Sequence, residues 1–329
     1  MRTLFLILLP LLFLLNLFVG SADIPFGEII KVLTFTSDND VFKIIILYNR
    51  LPQALTAVVS GAALAVSGLI MQTIFANPLA GPSVLGISSA SSLGVAVVTF
   101  VFSSIFASFN TTFSVIFGAL IGSGVALLLL ILLSGVVRNN ITLLIMGMMV
   151  SYICSSLITV LNFFGTEESV KNFTVWTSGS FAGVALGDIP LYFGIVVVAV
   201  SASFFTIKPL NLLLLGENYA QNLGLNIRRA KTFLLVVSGV LTSVVTAYCG
   251  PVSFIGLAVP HVARLLMKTS NHNNILPMSV LIGACVALSC NILTIMPGSG
   301  GILPLNAVTP FFGAPVIVWV LLSGRRIKL

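Results

Sequence analysis

Residues able to bind a metal, move a proton or attack a substrate are few in this sequence and stand apart. Histidine occurs twice. His261 follows Pro260 in an apolar run with no Cys, Asp or Glu at metal-ligand spacing, so it reads as a structural hydrogen-bonding histidine. His272, in "TSNHNN", reads as a solvated loop residue. Cys154, Cys249, Cys285 and Cys290 lie within or at the ends of apolar runs, without C-x-x-C spacing, and read as small apolar fillers. No metal site is expected. The chain has no G-x-x-x-x-G-K-[ST] phosphate loop, no G-x-S-x-G and no H-E-x-x-H, so neither P-loop binding of ATP nor an enzymatic centre is expected of it. What remains is backbone chemistry. "NPLAGPSVLG" (77–86) and "CGPVSFIGLAVP" (249–260) set helix breakers, Asn77, Pro78, Gly81, Pro82 and Gly250, Pro251, Gly256, Pro260, inside otherwise apolar sequence. Irregular backbone at membrane depth survives only when buried in protein or lining a water-filled cavity. These residues are therefore expected to shape a path through the protein, with His261 beside them, rather than to ligate a substrate.

That reading requires a membrane, and the composition demands one. Of 329 residues, 58% are hydrophobic and 7% charged, with mean hydropathy +1.17. A soluble domain carries roughly a quarter charged residues to wet its surface. The expected fold is all-α and polytopic, with about ten transmembrane helices near 3–20, 51–75, 86–106, 113–134, 141–164, 189–207, 231–249, 254–268, 275–296 and 308–324. The eighth is short for a full crossing. The first, "MRTLFLILLPLLFLLNLFVGSA", reads as a retained span, with a cleaved signal peptide as the alternative.

The basic residues orient the chain. With the N-terminus inside, inner segments hold Arg2, Arg138, Lys208, Arg228, Arg229, Lys231, Arg264, Lys268, Arg325, Arg326 and Lys328, and outer segments hold Lys31, Lys43, Arg50 and Lys171. Eleven against four fits the positive-inside rule and puts both termini in the cytoplasm. The formal +7 charge thus reflects topology, and nucleic-acid binding is not expected.

Embedded carboxylates, which ion-coupled carriers keep at mid-membrane, are scarce. An ion-coupled secondary transporter is therefore the alternative reading, and energy is expected from another source. The one large inner segment, "KPLNLLLLGENYAQNLGLNIRRAK" (208–231), suits docking of a cytoplasmic partner; its bland alternative is a helix lying on lipid headgroups. Small residues Gly61, Ala65 and Gly68, and the pair Gly118 and Gly122, are expected to pack helices internally. The two Gly-Pro breaks follow spans of opposite direction, the arrangement of an inverted repeat.

Four ordered blocks carry a resemblance. "RLPQALTAVVSGAALAVSGLIMQTIFANPLAGPSVLGISSASSLG" (50–94), "LGENYAQNLGLNIRRAK" (215–231), "GPVSFIGLAVPHVARLL" (250–266) and "TPFFGAPVIVWVLL" (309–322) are similar to the FecCD-type permeases, membrane subunits of ABC importers for ferric siderophores, haem and cobalamin. The resemblance implies that residues 1–329 form one transmembrane permease domain in the bacterial cytoplasmic (inner) membrane. It implies a permease dimer, separate ATPase subunits carrying ATP and Mg, and a periplasmic or lipid-anchored substrate-binding protein, with no cofactor bound by this chain. It assigns Gly216, Glu217, Ala220, Leu223 and Gly224 to ATPase coupling. It also assigns Arg50, in "RLP", to docking of the binding protein, with interfacial snorkelling as the bland reading. Gln53 replaces a basic residue common in the family, and 296–306 has no arginine, so Lys43 and Lys171 are the expected substitutes.

Overall fold

A computed structural model describes residues 2–102, 111–137, 139–295 and 302–323. Arg138, Arg325, Arg326 and Lys328, counted above among the inner cations, and residues 296–301 of the last outer loop lie outside the described residues. All regular structure among the described residues is helical. A helix stands at each of the ten apolar segments: α1 (Arg2–Phe18), α3 (Asp40–Ile74), α4 (Ile87–Phe100), α5 (Thr111–Val136), α6 (Asn140–Phe164), α8 (Ile189–Phe204), α11 (Ile227–Cys249), α12 (Ile255–Met267), α13 (His272–Ile295) and α14 (Leu305–Ser323). Shorter helices fill the connections: α2 (Phe26–Leu33), α7 (Glu167–Thr177), α9 (Ile207–Leu213) and α10 (Glu217–Asn222). The outer residues from Asp40 onward are absorbed into α3, which starts with one α turn, widens to a π-helical stretch at Ile44–Arg50 and tightens again from Leu51.

Not every apolar segment is a full-length helix. Among the described residues, α3, α5, α6, α11 and α13 are long and apolar enough to cross a membrane alone; α8 with α9, bent by 52°, makes a sixth if counted as one span. The 13 residues of α12 rise only about 20 Å, against about 30 Å of hydrocarbon. Its Gly256 lies against Gly68, in the second half of α3. The eighth segment is thus a helix of roughly two-thirds the length of a crossing, reached through an irregular stretch.

α3 is the centre of the fold. Its apolar window is 89% buried, whereas those of α5 and α6 are 28% and 22% buried. Close packing of α3 follows from missing side chains. No Cβ fits at Gly61, which faces the backbone of Gly283 on α13, nor at Gly68, which faces Gly256. Gly118 and Gly122 on α5 meet Gly94 and Ala90 of α4 in the same way. Lipid tails are as apolar as leucine, so such contacts and interhelical hydrogen bonds hold membrane helices together. Ser67 bonds Ser238 (2.6 Å) and Thr242 (2.7 Å) of α11, and Gln53 donates to Asn291 (2.9 Å), which donates to Asn16 of α1 (2.7 Å). Each such bond contributes about 0.6 kcal/mol, so these chains set register more than they add stability. The amide chain also binds α1 into the bundle. It also places Gln53 inside the protein rather than at its rim.

Candidate path and coupling site

The end of α3 is built by local chemistry. Ala76 takes the left-handed conformation (φ +44°), the Asn77 amide donates to Gln72 O (3.1 Å) and the Ala76 amide to Thr73 O (3.3 Å). This is a Schellman closure, which usually has glycine at the left-handed position. Asn77 Oδ1 accepts from the amide of Leu79 (2.9 Å), so the asparagine satisfies a backbone group freed by the break. Pro78 follows, Ala80, Gly81 and Pro82 are buried, and Gly86 (φ +82°) opens α4. The second break is held differently. Gly250 (φ +74°) leaves α11 with the Trp176 carbonyl where a side chain would be. Asn306 then clamps the irregular stretch, donating to Pro251 O (2.6 Å) and accepting from the Ser253 amide (3.1 Å).

The two breaks, far apart in sequence, meet. Pro82 fills the space beside Gly256, and Gly81 lies against Leu257. His261 Nε2 is 2.8 Å from Pro78 O; a carbonyl only accepts, so that nitrogen carries the proton. Pro260, within α12, has no N–H to offer Gly256 O, and that carbonyl abuts Gly68. Asn77, Pro78, Gly81, Pro82, Gly256, Pro260 and His261 thus form one irregular region around the end of α3. Gly250 and Pro251 lie apart from it, beside α7 and α14.

Three consecutive residues at that end bind three different helices, α12, α13 and α6. Gln72 donates to Leu257 O (3.0 Å) and accepts from Arg264 (2.7 Å). Thr73 Oγ1 lies 2.9 Å from His272 Nε2. The Ile74 carbonyl accepts from Asn140 of α6 (2.9 Å). His272 is 1% exposed, which corrects the reading of a solvated loop residue. Its backbone amide and Nδ1 both reach Asn211 Oδ1 on α9 (2.8 and 2.9 Å). No local signal in "TSNHNN" announces a partner 61 residues away.

The segment 208–231 lies beside this region. α10 runs between Gly216 (φ +95°) and Gly224 (φ +88°), and open space surrounds both glycines. Ala220 is fully buried, while Tyr219 and Leu223 are 69% and 61% exposed. A short helix is thus anchored on one side and presents an apolar knob on the other. Glu217 pairs with Lys231 (2.7 Å) and accepts from Asn140 (2.6 Å). A cleft of about 770 Å³ lies between the α3 break (Phe75, Ala76, Asn77), the start of α6 (Asn139, Asn140) and α10 (Glu217, Tyr219). Gln72, Thr73, Asn140 and Asn211 were not singled out from sequence, and Lys231 and His272 were read there without these partners, because each partner lies far away in the chain.

Arg50 differs from expectation. It is 5% exposed, and its guanidinium turns inward onto the end of α1, donating to Leu17 O (2.9 Å), Phe18 O (3.0 Å) and Ala22 O. Gly20 has no room for a Cβ because the guanidinium lies against it. The last carbonyls of a helix lack internal partners and carry partial negative charge, so a buried cation satisfies both needs. In this structure Arg50 is a helix cap, not an open docking group.

Long helices packed through glycine, irregular breaks meeting in the interior and an apolar knob on a glycine-flanked helix define a polytopic transport permease. The chain belongs to the FecCD transport family, whose sequence profile matches residues 7–323. It is 33% identical over 322 residues to the hemin transport system permease protein HmuU of Yersinia pestis, covering 98% of this chain and 95% of the relative. It is 34% identical over 321 residues to the vitamin B12 import system permease protein BtuC of Klebsiella pneumoniae, covering 97% and 92%. Its fold matches an inward-facing ABC transporter of the metal-chelate type, with TM-score 0.84 and 27% identity over 97% of each chain.

Proposed function

We propose that this chain is the membrane-spanning subunit of an ABC importer. It carries a metal chelate (a ferric siderophore, haem or cobalamin) into the cytoplasm, using ATP hydrolysed by separate subunits. The observation that carries the reading is α10, a six-residue helix between two positive-φ glycines, with Tyr219 and Leu223 exposed. Such a knob fits a groove on a partner and can be displaced as a unit. The relatives named for hemin and vitamin B12 support the cargo class. On this reading ten helical segments cross or enter the inner membrane, both termini are cytoplasmic, a second permease copy completes the path, and a binding protein delivers cargo from outside. ATP and Mg reside on the ATPase subunits, and the chain itself catalyses nothing.

The test is uptake of haemin, cyanocobalamin and ferrichrome by cells expressing the chain with its neighbouring ATPase and binding-protein genes. One chelate should accumulate, and accumulation should stop on ATP depletion but survive a protonophore. The converse pattern would make the chain an ion-coupled carrier. Gly224→Val meets no clash, because the space around Gly224 is open, but forces a β-branched residue to φ +88°. Uptake should fall at least tenfold while the complex still assembles.

A further inference from the structure

The coupling helix is poorly held by its own backbone. Six residues are too few for a helix stable in isolation, and the flanking glycines bring no side chain that could pack against the bundle. A displaced α10 would rotate about Gly216 and Gly224 unless side chains tie it to the bundle.

A closed ring supplies the tie. Lys231 Nζ contacts Glu217 Oε1 (2.7 Å) and donates to Asn140 Oδ1 (2.7 Å), while Asn140 Nδ2 donates to the same Glu217 oxygen (2.6 Å). Each member touches the other two, and each sits on a different helix: α10, α11 and α6. The second hydrogen of Asn140 Nδ2 goes to Ile74 O (2.9 Å), a terminal carbonyl of α3 directly before the path-shaping break. The asparagine therefore uses both donors and its acceptor. A triangle of bonds resists shear that a single ion pair would follow by side-chain rotation. The Lys231 side chain is 12% exposed and that of Glu217 35%, so salt screens this pair less than a fully solvated one.

We propose that Asn140 and Lys231 are positioning residues that fix α10, through Glu217, to the ends of α3 and α6, so that an ATPase-driven shift of α10 moves the break at Asn77 with it. The proposal rests on the coupling role assigned above. Asn140 is the junction because an amide can donate and accept at once, which neither a carboxylate nor an ammonium can do.

The test measures spin-label distances in the full complex with its ATPase subunits. Labels are placed at Asn222→Cys on α10 and Thr142→Cys on α6, with labelled chains diluted into unlabelled ones so that only distances within one chain are read. The four native cysteines are buried. The wild-type background should give one narrow distance, unchanged between the nucleotide-free and ATP–vanadate states. Lys231→Met should at least double the width of the distribution and make its mean depend on the nucleotide state. Lys231→Arg, which keeps a donor for both Glu217 and Asn140, should restore the narrow distance. If Lys231→Met does not assemble, Asn140→Ser, which keeps the ion pair but cannot reach Ile74 O, should broaden the distribution likewise. A wild-type distance that shifts between states by more than its own width, or variants indistinguishable from wild type, would overturn the proposal while leaving the importer reading intact. A wild-type chain that holds no ATPase subunit would remove the coupling reading, and the ring would then be a static brace.

Discussion

Arg50 shows how much the direction of one side chain changes a role. Its place in the sequence, at the start of a span in an outer segment, suits an exposed guanidinium meeting a carboxylate. Two carbonyls at the end of α1 and one in the stretch after it take that guanidinium instead. Removing a charged donor and leaving buried acceptors unmet costs about 2 kcal/mol. Arg50→Ala should therefore lower the melting temperature of the detergent-purified protein, with Arg50→Lys intermediate because one ammonium cannot span the same fork. Unchanged melting together with lost affinity for the binding protein would return Arg50 to a docking role. His272 errs in the opposite direction. A polar neighbourhood suggested solvent, yet the ring is buried between Thr73 and Asn211.

At the scale of elements, function is concentrated where helices stop. α3 ends in a Schellman turn with alanine, not glycine, in the left-handed position. An L-residue there costs about 1–2 kcal/mol that glycine avoids. Ala76→Gly should therefore stabilise the protein by about 1 kcal/mol, read as a higher melting temperature. Ala76 is exposed, so no packing is lost with the methyl. A fall in melting temperature would mean that added freedom in the unfolded chain outweighs relief of the turn. α12 makes the same point about breaks. Its contact between Gly256, at its start, and Gly68 of α3 sets that start inside the bundle, and so the helix is short.

At the scale of the whole molecule, the contacts gather the charged groups named above at two ends. Arg2 bonds Asn274, His272 bonds Asn211, and Lys231 joins Glu217 and Asn140 at one end; Arg50, α2 and α7 lie at the other. If the first end is cytoplasmic, cysteines at Asn139 and Asn222 should react with an impermeant reagent only in inverted vesicles, and one at Glu168 only in intact cells. Labelling of Asn222 from outside would reverse the orientation. Much of this molecule was legible in its residues alone. Ten apolar segments could be read because hydrocarbon demands a local run of apolar residues. The breaks at 77–86 and 249–260 could be read because proline and glycine act on their own backbone. Glycines of the packing faces were legible too, since close approach needs a missing Cβ whatever the partner. Tertiary structure alone decided that the two breaks touch, that Arg50 turns inward, that α12 starts against the middle of the bundle, and that Asn140, Lys231 and His272 hold the end of α3. These are pairings between residues far apart in the chain. A polar side chain in a membrane protein takes its role from the group that relieves its desolvation.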